Sequence, residues 1–158
     1  MRFPYLALPT RQPIYPLAGA RVRHRPIVPV RIIGPLGSRL RDGSLDSGSD
    51  DTLLPRHLAR RLGIDMQGAP QGEAKPIGGP SIPYHYATVT LLVTDGRETC
   101  QWEATVGFID APLRWAVLGH AGFLQFFDTE LHGARREAIL NPNASFPGHH
   151  AAHATVSP

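Results

Sequence analysis

The stretch that constrains the fold most strongly reads Leu45-Asp46-Ser47-Gly48-Ser49-Asp50-Asp51-Thr52-Leu53-Leu54. It places three carboxylates within six residues, and apolar residues stand on both sides of them. An aspartate directly after a strand-like segment costs free energy unless hydrogen bonds hold it. Ser47 and Gly48 can provide such bonds through a hydroxyl group and through uncovered backbone N–H groups. The pattern therefore predicts a tight polar turn at the end of a strand.

This stretch resembles the active-site loop of the retropepsins, the retroviral-type aspartic proteases. In that family an apolar residue is followed by Asp, by Ser or Thr, by Gly and a small residue, and often by Asp-Asp-Thr. A second family element follows at the expected distance and reads Trp115-Ala116-Val117-Leu118-Gly119-His120-Ala121-Gly122-Phe123-Leu124. The bare triplet Asp-Ser-Gly also fits an ordinary Asx turn, but two elements in register favour the family. The resemblance covers residues 26–140 and implies an all-β, closed-barrel acid-protease fold with one or two short helices.

The resemblance also implies a role for each residue of these elements. Asp46 would be the catalytic carboxylate, and the residues supporting the turn would be Ser47, Gly48 and Gly119. Substrate-binding residues implied in the same way are Ser49, Asp50, Asp51, Ile77, Gly78, Gly79 and Val117. For Val117 and its neighbour Trp115, an ordinary place in the core is the alternative.

One chain carries half of the catalytic pair that such enzymes need. Pepsin-like enzymes use two aspartates, whereas this sequence holds one Asp-Ser-Gly triplet. The resemblance therefore implies a symmetric homodimer that hydrolyses a peptide or protein substrate without a metal or organic cofactor. His120 stands where the family usually has an arginine that pairs with the residue matching Asp50, so we expect dimer cohesion to depend on pH.

Residues 76–83 stand where the family carries its flap, a glycine-tipped hairpin that closes over substrate. Gly78 and Gly79 permit close approach of backbone to a ligand, although a plain Gly-Pro loop is the alternative. Pro80 falls at the position whose backbone N–H holds a water in retroviral enzymes, and proline has no N–H. Either Ser81 donates instead, or Tyr84 closes on the substrate.

Residue patterns predict the remaining elements of the domain. Alternating β-branched residues, turn residues and helix signals predict hairpins over 26–46, 86–108 and 127–140, and short helices over 55–63 and 120–127. Residues 1–25, rich in Pro and Arg, are predicted to form an extended or mobile arm. Residues 141–158 are predicted to be a disordered tail.

Composition narrows the partners and the compartment. The net charge of +3 and the basic cluster Arg21, Arg23, His24 and Arg25 are compatible with an acidic partner. The same cluster could contact nucleic acid, but a solvated arm is the favoured interpretation, because no aromatic-rich binding motif accompanies the arginines. Cys100 is the only cysteine, so no intrachain disulfide is possible, and no apolar run approaches the roughly 20 residues of a membrane span. We expect a cytoplasmic protein that does not bind membranes.

Two other function classes share parts of this pattern. The first is a catalytically inactive module of the same fold that binds peptide without cleaving it, since a fold does not fix a function. The second is a basic nucleic-acid-binding domain, which salt-dependent affinity for DNA or RNA would reveal. His149, His150 and His153 could hold a metal loosely, but a flexible tail is the simpler interpretation.

Overall fold

The computed structural model describes residues 1–76 and 78–153 and is built almost entirely of strands. The strands are β1 (Arg2–Pro4), β2 (Leu6–Ile14), β3 (Ala20–Arg25), β4 (Ile27–Gly34), β5 (Gly37–Leu45), β6 (Leu53–Pro55), β7 (Gln71–Ala74), β8 (Ile82–Thr94), β9 (Glu98–Ile109), β10 (Ala116–Leu118), β11 (Phe127–His132), β12 (Glu137–Pro142) and β13 (His149–Ala152). One α-helix, α1 (His57–Leu62), and 3-10 turns at Tyr15–Leu17 and Leu124–Phe126 complete the described chain. The prediction of an all-β protein is confirmed.

Six of these strands close into a barrel. The hydrogen-bonded order runs β9, β6, β10, β5, β4 and β8, and β8 pairs again with β9. Two of the contacts are parallel, β5 with β10 and β6 with β9, and the others are antiparallel. The predicted closed barrel is therefore confirmed, and its closure removes the free edges that an open sheet would leave.

The core of the barrel follows the predicted alternation. In β4, Val28, Val30 and Ile32 are fully buried, whereas Pro29 between them is exposed. β8 pairs with β4 only at Arg31–Ile33, so the missing N–H of Pro29 interrupts no ladder on that side. The predicted hairpins close as β4–β5, β8–β9 and β11–β12.

The two predicted helices have different outcomes. α1 covers His57–Leu62 and ends at Gly63, whose φ of 70° is the left-handed conformation predicted for the stop. Pro55 belongs to β6 rather than to the first helical turn. The helix predicted over 120–127 is wrong, because only the 3-10 turn Leu124–Phe126 forms there. Gly122, with a φ of 85°, breaks any right-handed helix before it.

The segments outside 26–140 are more ordered than predicted. β1 pairs with β12, and Met1 and Phe3 join the main core. β13 pairs with β9, and the Phe146 ring lies 5.5 Å from that of Trp102. The expectation of a disordered tail is therefore wrong for residues 141–153, because a half-buried Phe146 packs against the core and β13 forms a ladder with β9. Residues 154–158 of that tail lie outside the described part.

Two sheets lie outside the barrel. β1, β12 and β11 form a three-stranded sheet with β12 in the centre, and β2 and β3 form a separate two-stranded ribbon. Over residues 1–76 and 78–153, no helix combines the length and the apolar character that crossing a bilayer requires.

Candidate active site

Asp46 lies at the end of β5, in the tight turn that the sequence predicts. Its backbone N–H donates to the carbonyl of Leu118 at 3.1 Å, which fixes the start of the turn. The N–H of Gly48 donates to Asp46 Oδ1 at 3.0 Å, and the N–H of Ser49 donates to the Asp46 carbonyl at 3.2 Å. The carboxylate is exposed and held by a backbone donor, so it is oriented without being buried.

Gly119 lies against this turn, as the resemblance implies. A Cβ added to it would lie 2.2 Å from the carbonyl oxygen of Asp51 and 2.8 Å from that of Ser49. The next two residues extend the contact, because His120 N–H donates to Ser49 O at 2.9 Å and Ala121 N–H donates to Asp50 O at 2.7 Å. The two sequence elements that predicted the site therefore meet through backbone hydrogen bonds that tolerate no side chain at position 119.

Ser49 uses both its backbone groups and its hydroxyl to hold the loop together. The Ser49 N–H donates to the Asp46 carbonyl, and the Ser49 carbonyl accepts from the His120 N–H. The Ser49 hydroxyl donates to the Asp51 carbonyl at 2.8 Å. The backbone of Ser49 was predicted to meet the substrate main chain. That role stays a prediction. It would require the Ser49 carbonyl, which already accepts a hydrogen bond from His120, to accept a second one from the substrate.

A cluster of two tyrosines and one aspartate stands beside the loop, and the sequence analysis did not predict it. Tyr84 is buried, whereas Tyr86 and Asp51 are half-buried. The hydroxyl of Tyr84 donates to Asp51 Oδ2, and the hydroxyl of Tyr86 donates to the same oxygen at 2.9 Å. The two hydroxyls are 3.1 Å apart. The Asp51 side chain thus joins the Asp46 loop to β8, the second strand of the predicted flap hairpin.

The surrounding backbone is built to admit the Tyr84 ring. A Cβ at Gly72 would lie 2.6 Å from this ring, and one at Gly107 would lie 2.5 Å from it. The tyrosine is 4% exposed and belongs to a small apolar cluster with Leu53 and Ile109. Because its ring is buried in this way, Tyr84 is not free to close on substrate, which was one of the two predicted flap arrangements.

Burial and the hydrogen bonds to Asp51 and Tyr86 raise the pKa of Tyr84 far above its ordinary value. At Tyr86 the bond with Tyr84 lowers the pKa, but burial and Asp51 outweigh it, so the net direction is also upward. Both phenols therefore remain protonated donors to Asp51 over the physiological range. The signal that could have revealed the cluster is the Tyr-x-Tyr spacing, which puts both rings on one face of a strand.

The predicted flap is a hairpin of β7 and β8, paired from Gln71–His85 to Ala74–Ile82. Gly78 has a φ of 74°, and the N–H of Gly79 closes the tip by donating to Pro76 O at 3.1 Å. Ile77 lies outside the described residues. Ala74 and Ile82, the last pair before the tip, share an apolar cluster with Val117, the residue of β10 predicted to bind substrate. The hairpin exists, and its closing over a substrate stays a prediction.

Two residues that the sequence analysis singled out, His120 and Trp115, have different surroundings. The side chain of His120 is exposed, and within the described chain it forms neither a hydrogen bond nor an ion pair with Asp50. The structure therefore gives no support to pH-dependent cohesion through that pair. Trp115, which is half-buried, is contacted by two guanidinium groups, Arg114 at 4.4 Å and Arg25 at 5.9 Å from the ring centroid.

Neither Cys100 nor the histidines of the tail are placed for a chemistry of their own. Cys100 is fully buried, and burial raises the pKa of its thiol to about 11, so this sulfur is not a nucleophile near neutral pH. The tail histidines make protein contacts instead: His150 lies 2.8 Å from Glu98, and His153 lies 2.9 Å from Thr99. Across the described ranges, no group of three or more His, Cys, Asp or Glu side chains is arranged to hold a metal ion.

No protein-family model matches this chain, and a search of curated proteins found no match either.

We expect Gly119→Ala to destabilise the fold by several kcal/mol, or to prevent folding, because the new methyl would overlap the Asp51 carbonyl. Urea unfolding measures the loss. Gly133→Ala is the matched control, since a Cβ there meets nothing within 4 Å. Equal stability of the two variants would contradict the close approach of the Gly119 backbone to the Asp51 carbonyl.

Replacement of the buried phenol in Tyr84→Phe should lower the free energy of unfolding by about 1.5–3 kcal/mol, as for a hydrogen bond to a charged group. Tyr15→Phe is the control, because that side chain is 90% exposed. If Tyr84→Phe unfolds at the same urea concentration as the unmodified chain, the bond to Asp51 contributes nothing.

Proposed function

We propose that this protein is an aspartic endopeptidase of the retropepsin type, with a retropepsin-like fold, and that it acts as a homodimer on peptide or protein substrates. The observation that carries the proposal is the exposed Asp46 carboxylate, held by the Gly48 N–H in a turn braced by Gly119. Asp65 and Asp95 accept the same kind of backbone bond in ordinary turns. The Asp46 turn differs from them because the backbone at Gly119, His120 and Ala121 packs directly against it. The closed barrel and the hairpin at residues 71–85 agree with this assignment.

The chemistry requires a second copy of the chain. One aspartate must accept a proton from water while another donates a hydrogen bond to the scissile carbonyl. The proposal therefore places Asp46 of two protomers about a twofold axis, where the two carboxylates share one proton because both cannot stay ionised at close range. The ionised carboxylate removes a proton from the bound water, whose oxygen attacks the carbonyl carbon. The protonated one gives its proton to the carbonyl oxygen, which produces a tetrahedral gem-diol. When the gem-diol collapses, the carboxyl that took the proton from water gives it to the leaving nitrogen, the C–N bond breaks, and the other carboxylate takes back a proton from the gem-diol hydroxyl.

An exposed surface next to the loop supports the dimer. The residues that line it, here called the apolar patch, are Leu45, Leu124, Phe127 and Leu131 together with the polar residues Ser47, His120 and Thr129. Of its apolar side chains Leu131 is exposed, Leu124 is half-buried, and Leu45 and Phe127 are buried. Leu131 is 55% exposed, and the hydroxyl oxygen of Thr129 is buried without a hydrogen-bond partner in the described chain. β11, which supplies three of these residues, is an edge strand of its sheet. Edge strands with apolar side chains favour pairing with another chain.

The patch also gives Ser47 its proposed role. Ser47 is exposed on the patch, and no hydrogen bond of its side chain is present within the described residues. In a symmetric dimer its hydroxyl would bond to the partner's loop and keep the two carboxylates coplanar. A cytoplasmic location belongs to the same proposal, because the single buried cysteine needs no oxidising compartment.

The test of the activity is Asp46→Asn. This change keeps the Gly48 bond possible through the amide oxygen but removes the base, so cleavage of an unfolded, fluorescence-quenched polypeptide should fall by about 10³-fold or more. Glu103→Gln, which removes the charge of an exposed side chain on β9, is the control and should leave the cleavage rate unchanged. If Asp46→Asn cleaves as fast as the unmodified protein, Asp46 is not catalytic. If neither protein cleaves while a peptide still binds, the inactive peptide-binding module is the correct alternative.

The dimer has its own test. Leu131→Glu places a charge on each copy of the apolar patch, so the dimer dissociation constant should rise at least about tenfold. Leu40→Glu, at a side chain that is 60% exposed on β5, is the matched control. Sedimentation equilibrium measures both constants. A strictly monomeric protein that cleaves peptide would rule out the shared pair of aspartates.

A further inference from the structure

The positive charge of this protein is concentrated in its first quarter. Residues 1–41 contain eight arginines and no acidic residue, whereas residues 42–158 carry all thirteen acidic side chains with the other eight basic ones. Five of the eight arginines lie in or before the β2–β3 ribbon, which comprises residues 6–25 with their turn. A chain whose net charge is only +3 thus presents one strongly cationic surface.

Strand alternation puts three of these arginines on one face of the ribbon. Arg25 is paired with Leu6 and Arg23 with Leu8. Arg21 stands two residues before Arg23 in β3, where the register with β2 shifts, and strand alternation places it on the same face. This surface, here called the arginine face, is formed by Leu6, Leu8, Arg21, Arg23 and Arg25. The three arginines are exposed, and among residues 1–76 and 78–153 none of them forms an ion pair. Their charges are therefore available to an external partner.

The ribbon also exposes apolar side chains that it cannot bury alone. Of the seven large hydrophobic residues exposed in the described chain, four belong to it: Leu6, Tyr15, Leu17 and Val22. Its two strands pair with each other and, among the described strands, with no third one. An isolated two-stranded ribbon is marginally stable, and clustered exposed apolar residues mark interaction surfaces. The free edge of β3 offers backbone donors and acceptors to an incoming strand.

The arginine face continues toward the proposed active site. Arg25, at its end, lies 5.9 Å from the centroid of Trp115, and Arg114 lies 4.4 Å from the same ring. Trp115 immediately precedes β10, the strand that carries Val117 and leads to Gly119. A polypeptide leaving the site along this side would therefore meet Trp115 and then the successive arginines.

We propose that the arginine face binds an acidic segment of a polypeptide, extended along the free edge of β3. Alternate side chains of an extended strand repeat at about 6.6–6.8 Å, the same spacing as Arg21, Arg23 and Arg25. Carboxylates at every second position of the partner therefore meet successive guanidinium groups, which bind them in bidentate fashion. The binding of this segment does not depend on the proposed function. Only its position, next to the bond that is cleaved at Asp46, rests on that function.

Two observations favour a polypeptide over a nucleic acid. Residues 42–158 carry a surplus of acidic side chains, which repels a long polyanion but not a segment as short as the ribbon. The Trp115 ring is already contacted by two guanidinium groups, so it offers no open platform on which a base could stack.

The test measures binding in the full chain carrying Asp46→Asn, so that no probe is cut. The probe is a labelled short peptide that alternates glutamate and threonine, and its control has glutamine for glutamate. Fluorescence anisotropy should show binding of the acidic peptide that weakens as salt rises from about 0.05 to 0.3 M. The combined change Arg21→Gln, Arg23→Gln and Arg25→Gln should raise the Kd about tenfold or more.

The matched control is Arg56→Gln, Arg60→Gln and Arg61→Gln, which removes the same charge from exposed positions at α1. Its Kd should stay within about twofold, while circular dichroism confirms that both variants fold. Equal losses in the two triple variants, or equal binding of the glutamine peptide, would overturn the proposal. If single-stranded DNA binds more tightly than the acidic peptide, and the triple change in the arginine face weakens that binding, the partner is a nucleic acid and the proposal is wrong. Binding with no cleavage by the unmodified protein would leave the ribbon site standing and reject the proposed function.

Discussion

The structure depends on the close approach of two backbones at Gly119. The carbonyl oxygens of Ser49 and Asp51 lie where any other residue would carry its Cβ, so the loop and β10 touch without side chains between them. That contact allows the hydrogen bonds from His120 and Ala121 to form, and it holds the turn that presents Asp46. A rigid support of this kind favours binding through the carboxylate, because an oriented group loses little entropy when it binds.

Features encoded in short sequence patterns were predictable. The hairpins followed from alternating β-branched residues and from turn pairs such as Asp95-Gly96, and the end of α1 followed from Gly63. The meeting of Gly119 with the loop followed from the resemblance. These predictions succeeded because each depends on local backbone preference or on one recognised contact.

The features that could not be predicted depend on contacts between distant parts of the chain. The order of residues 141–153 comes from Phe146 packing on Trp102 and from pairing with β9, neither of which composition reveals. The Tyr84–Asp51 bond needs the register of β7, β8 and β9, since Gly72 and Gly107 make room for the ring only in that register. Tertiary contacts of this kind override local propensity, so a polar Pro-Gly-His segment can still form a strand.

The parallel pairing of β5 with β10 has a consequence for the order in which the molecule assembles. It joins residues 43–45 to residues 116–118, and this pairing supplies the support beneath the Asp46 turn. Contacts between such distant residues form late, because a long loop must close before they contribute any stability. A chain growing on the ribosome therefore carries the Asp46 segment long before it carries the strand that shapes it. The turn remains unassembled until residues 116–118 are available, so until then the nascent segment carries Asp46 without the fixed orientation that it has in the folded chain.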